Sequence, residues 1–224
     1  CAEALADSSP LSCQHGLGHG IQSYVGYEPD DLIEGLEICH DLKNDRIGGC
    51  YGGIFMEFNL RTMWGEEARP RETTREHVAD TCISISEEFR PACFYWSPQW
   101  WLQALYGDSS SESSFTTLGD ICISTTGSET LRRDCFDGIG TIVPSSASFE
   151  PRRTARLCDA VSSRPLDRLY CRASAANILS VDVGREKGEA SGVGLMGNSF
   201  DYCVAYAQNR ANVFNRALIS EENL

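Results

Sequence analysis

The chain has 224 residues, enough for one large domain or a short repeat array. A formal net charge of −13 repels phosphate backbones and excludes nucleic acid as a main partner. No run approaches the roughly 18 consecutive apolar residues that a membrane span needs, so none is expected.

Eleven cysteines dominate the reading, and the closest two are 11 positions apart. That spacing lacks the C-x2–4-C pairs of zinc sites, so disulfides are expected, and with them an extracytoplasmic location: secreted, periplasmic or at the cell surface. The absence of an initiator methionine and a signal peptide points to a mature chain or a fragment.

In chain order, Cys1 comes first. It fits either the acylated cysteine that opens a mature lipoprotein or the end of a helix lying upstream. After it the cysteines form two interleaved series, Cys13, Cys50, Cys93, Cys135, Cys171 and Cys39, Cys82, Cys122, Cys158, Cys203. The steps of 36 to 45 residues suit one helix pair with its loops. Each first-series cysteine opens a helix A. Eight positions on stand Ile21, Phe58, Trp101, Val143 and Leu179, all apolar, and three positions on stand Gly16, Gly53, Trp96, Gly138 and Ser174, four of them small. Each second-series cysteine closes a helix B. Pro29 to Cys39 is the clearest, with Pro29, Asp30 and Asp31 at its start and Leu32, Ile33, Leu36 and Cys39 at helical spacing. Glu72 to Cys82 and Pro151 to Cys158 read the same way. Asp108 to Ser114, Pro144 to Ser148 and Val183 to Asn198 read as linkers. Asn209 to Leu224 reads as a capping helix.

The expected fold is all-α, a single α-solenoid of about five disulfide-stapled antiparallel helix pairs, with units near 13–39, 50–82, 93–122, 135–158 and 171–203. Two disulfide phases suit it. Bridges within each pair would be Cys13–Cys39, Cys50–Cys82, Cys93–Cys122, Cys135–Cys158 and Cys171–Cys203, and this phase is preferred because every unit is then complete. Bridges between successive pairs would be Cys1–Cys13, Cys39–Cys50, Cys82–Cys93, Cys122–Cys135 and Cys158–Cys171. A helix ending in cysteine, a short loop and a new helix opening Cys-x-x-Gly, as from Cys39 through Cys50-Tyr51-Gly52-Gly53, resembles Sel1-like repeats, in particular the cysteine-rich secreted kind. The resemblance implies this architecture and a binding role.

Two segments carry candidate chemistry. In Cys13-Gln14-His15-Gly16-Leu17-Gly18-His19-Gly20, His15 and His19 share a helix face one turn apart, a divalent-metal clip suited to zinc or copper. Glu57, seven positions after Cys50, stacks beside His19 if the repeats are in register, and His40 follows Cys39 at the same end of the first pair. His15, His19 and Glu57 with an open position would match a catalytic zinc set in ligand type. The second segment is Phe94 to Trp101, where Tyr95, Trp96, Trp100 and Trp101 offer either a docking surface or core. No Gly-x-Ser-x-Gly or phosphate-binding loop is present, and the balance is against an enzyme. The expected function is an extracytoplasmic scaffold binding a protein or a polymer. The alternatives are a metal carrier or metal-dependent hydrolase, and a structural subunit that self-associates.

Overall fold

The computed structural model describes residues 10–40, 46–63, 73–107 and 110–187. Among them the chain is all-α, with ten helices and no strand. They are α1 (Pro10–Val25), α2 (Pro29–His40), α3 (Gly49–Met63), α4 (Asp80–Ser84), α5 (Arg90–Trp96), α6 (Pro98–Tyr106), α7 (Glu112–Thr125), α8 (Glu129–Ser146), α9 (Pro151–Ala160) and α10 (Pro165–Lys187). Cys1, Cys203 and the expected capping helix at 209–224 lie outside the described residues.

Local chemistry sets the helix ends. α2 starts at Pro29, whose missing N–H would be unbonded there in any case, and buries Leu32, Gly35, Leu36 and Cys39. Ser111 and Ser114 cap each other's backbone at the start of α7, so the serine run expected to be linker is in part a helix start. Glu150 accepts the first two N–H groups of α9 beyond Pro151. The third helix A is broken in two: Pro98 has no N–H to give, so α5 stops, Ser97 forms the joint, and α6 begins at the proline. Other expected boundaries are corrected: α8 and α10 start six residues before Cys135 and Cys171, and α10 runs to Lys187, into the expected 183–198 linker. The helix expected from Glu72 to Cys82 is helical only from Asp80, because Thr73 to His77 supply no apolar stripe. α8 carries Pro144 inside its last turn and runs to Ser146, so the expected linker at 144–148 shrinks to the turn that follows.

The helices opened by first-series cysteines (α1, α3, α5, α8, α10) pack each on the next in chain order, with α2, α4, α7 and α9 beside them. Glycines fix the register. A β-carbon on Gly18 would run into the Cys50 carbonyl oxygen, and one on Gly140 into the Cys171 carbonyl oxygen. Gly18 and Gly140 are both five positions past their own cysteine. A β-carbon on Gly53 would run into the His15 carbonyl oxygen, and one on Gly138 into that of Tyr95, again matching positions. At the α3–α5 junction the sizes are exchanged: Gly52 makes room for Trp96. Gly53 and Gly138, three past their cysteines, are therefore where backbones touch, whereas Gly16 at the same position has open space beside it. Phe58, Trp101, Val143 and Leu179, eight past each cysteine, are all buried, and Ile21 is partly so.

The bridges are Cys39–Cys50, Cys82–Cys93, Cys122–Cys135 and Cys158–Cys171. Each sulfur makes one bridge, so the preferred phase (Cys13–Cys39, Cys50–Cys82, Cys93–Cys122, Cys135–Cys158, Cys171–Cys203) is overturned. The cause is the short loop from the end of one helix B to the start of the next helix A. It brings the paired Cα atoms within 5.4–5.8 Å, the span a disulfide bridges. Cys13 is also disulfide-bonded, and the Cys1–Cys13 bridge of this phase involves a residue outside those described.

Candidate functional site

The α1–α3 junction gathers the polar residues of interest. Because Gly18 and Gly53 let the two backbones meet, the α1 side chains on either side of the contact are held against α3. His15 and His19 lie one turn apart, with their Nε2 atoms 3.3 Å from each other. On its other side, His19 Nδ1 lies 2.9 Å from Glu57 Oε2, and the Tyr27 hydroxyl donates to Glu57 Oε1 at 2.7 Å. A carboxylate only accepts, so His19 gives its Nδ1 proton to Glu57. The site is open to solvent on one side: the His19 and Glu57 side chains are 29% and 25% exposed.

His15 is half-buried. Its ring lies 5.6 Å from that of Trp96, and its Nδ1 sits 3.0 Å from where a β-carbon on Gly52 would be, against the α3 backbone. Trp96 is itself fixed by a 2.8 Å bond from its indole N–H to the Ile47 carbonyl. Burial holds the His15 imidazole below its ordinary value of 6.5, and the neighbouring His19 charge pushes the same way, against a hydrogen bond to the Gly49 backbone.

This arrangement brings His15, His19 and Glu57 together, as expected from their spacing after Cys13 and Cys50, but in a chain rather than a cluster. Glu57 lies on the Nδ1 side of His19 and His15 on the Nε2 side, so the three do not converge on one point. Among the described residues no group of three or more His, Cys, Asp or Glu side chains could hold a metal ion. The three-ligand zinc set is corrected accordingly. His40 does not join it either; it pairs with Glu88 at 2.9 Å, its ring edge against Phe89.

The aromatic segment divides. Trp100 and Trp101 are buried, Trp101 with no exposed surface at all, so they belong to the core and not to a docking face. Tyr95 and Trp96 are half-buried, and Trp96 forms a wall of the histidine site. Sequence reasoning missed Tyr27 and the role of Trp96. Tyr27 sits in a turn with no periodic signal. Trp96 had one: it alone is large among the residues three past each cysteine.

A second polar cluster joins α8 to α10. Arg132 grips Asp167 with two bonds of 3.0 and 2.7 Å, and Ser162 donates to the same carboxylate at 2.7 Å. Asp167 is fully buried. A third tie runs from Arg46, in the loop before α3, to the buried Asp134 of α8.

Fold and site together define a disulfide-stabilised, all-helical protein with a histidine–carboxylate chain at its first helix junction. No family model, no curated protein and no solved structure matches the chain. No helix among the described residues is long and apolar enough to cross a membrane.

Proposed function

We propose that this chain is an extracytoplasmic scaffold, an α-solenoid of the kind the Sel1-like resemblance implies, whose task is to bind another protein. The observation that carries this reading is the repeated register of its helix junctions. Gly18–Cys50 and Gly140–Cys171 use the same positions, and so do Gly53–His15 and Gly138–Tyr95. Backbone contacts that recur in one register at three of the four junctions favour the solenoid solution, and such stacks serve mainly as extended binding surfaces. Four disulfides favour an oxidising compartment. Exposed isoleucines favour a protein partner: Ile33 and Ile38 on α2, Ile83 on α4 and Ile123 on α7 lie on three successive helices of the second series.

The test is site-specific photocrosslinking of the secreted chain in its native surroundings, with the photoreactive residue at Ile83 or Ile123 and a control at the exposed Arg172. A single other protein crosslinked at both isoleucines and not at Arg172 is the expected result. Crosslinks only between copies of this chain would make it a structural subunit instead. No crosslink at either isoleucine would remove the binding role from this face.

A further inference from the structure

We propose that His15 and His19 form a two-histidine clip for one divalent transition-metal ion, zinc or copper, bound through both Nε2 atoms, with Glu57 as the residue that orients His19. The inference is independent of the scaffold reading.

Three observations carry it. The first is distance. Two imidazole nitrogens on one tetrahedral zinc, each about 2.0–2.1 Å from the ion, stand roughly 3.3–3.4 Å apart. The two Nε2 atoms are 3.3 Å apart.

The second is the placement of protons. His19 spends its Nδ1 proton on Glu57, so in the neutral ring its Nε2 carries a lone pair. The His15 Nδ1 is the nitrogen lying against α3, beside Gly52. With its proton on Nδ1, the neutral His15 ring also presents a lone pair at Nε2. Two lone pairs facing each other at this distance repel unless a cation lies between them. A proton held between the two rings is the other occupant of this place, and the metal titration separates the two. Glu57, held by Tyr27, is the carboxylate partner that commonly fixes a metal-bound histidine in the correct tautomer.

The third is the repeat itself, which supplies an internal comparison. The positions two and six past each cysteine are His15 and His19 in the first helix A. In the others they are Gly52 and Met56, Tyr95 and Gln99, Asp137 and Thr141, and Ala173 and Asn177. Seven past each cysteine, Glu57 stands alone among Gly20, Trp100, Ile142 and Ile178. The junction packs in the same register without these residues, so packing does not demand them. The clip uses two positions of the ion and leaves the others to water or to a donor group on a bound molecule.

The experiment uses the full oxidised chain, stripped of metal and titrated with zinc or copper chloride against a chromophoric chelator. It is repeated on His15→Gln, His19→Gln, Glu57→Gln, His40→Gln and His77→Gln. One ion per chain is expected, with affinity lost in both clip variants, reduced about 10- to 100-fold in Glu57→Gln, and unchanged in the His40 and His77 variants. Because a variant could fail to fold, nitrogen-15 imidazole spectra of the unaltered chain are recorded with zinc. The Nε2 signals of His15 and His19 should move while His19 Nδ1 stays protonated. The proposal is overturned if no ion binds, if the clip variants bind as tightly as the parent, or if the Nε2 signals stay in place.

Discussion

The α1–α3 and α8–α10 junctions are built on the same backbone contact and filled with opposite chemistry. At both, a glycine five past its cysteine meets the next cysteine's carbonyl. At α1–α3 the space beside that contact holds His15, His19, Glu57 and Tyr27, partly open to water. At α8–α10 the matching positions hold Asp137, Thr141 and Ile178, and over two turns before Gly140 the Arg132–Asp167 pair ties the helices, closed on the carboxylate side, with Ser162 adding a further bond. The backbone contact needs only a small residue, so the side chains around it are free to differ. One junction became a latch and the other a candidate site.

If that contrast holds, substitutions should separate the junctions. The largest effect is expected from Asp167→Ala, which leaves Arg132 without its buried partner and should cost about 3–5 kcal/mol by denaturant unfolding. Next come Gly18→Val and Gly140→Val. Each drives a side chain into a backbone carbonyl, and the two should be similarly destabilising, by about 3 kcal/mol. Unequal values would show that the shared register is not a shared constraint. Glu57→Gln should be mild, under about 1 kcal/mol, because that pair is partly solvated. The smallest effect is a pH dependence confined to the first junction. His15 titrates below 6.5 in the folded chain, so the unfolded state binds more protons in the window beneath that value. Stability from His15 is full above pH 6.5 and falls as pH drops from there through its lowered folded value. His15→Gln should remove that slope, and its persistence would assign the slope to another group.

Much of this was legible from the cysteines. Their spacing marked every helix A and most of helix B, because each falls within the first two turns or the last turn of its helix. The register also predicted that Glu57 would reach His19, and it does. The bridge phase was not legible, since both phases place all the sulfurs at helix ends of one kind, and only loop geometry distinguishes Cys39–Cys50 from Cys13–Cys39. His40 could not be placed, because its partner Glu88 lies on a different segment with no repeat signal. The tryptophans were ambiguous for a related reason: a helix A packed on both sides buries Trp100 and Trp101, and sequence does not reveal its second neighbour.

The bridges have a consequence for how the chain matures. Each of the four joins a cysteine to the next one along the sequence, 11 or 13 residues later. During N-to-C emergence into an oxidant, the right partner for Cys50, Cys93, Cys135 or Cys171 is the cysteine that emerged just before it. Oxidation can therefore follow the order of synthesis, and these four pairs need no reshuffling by an isomerase.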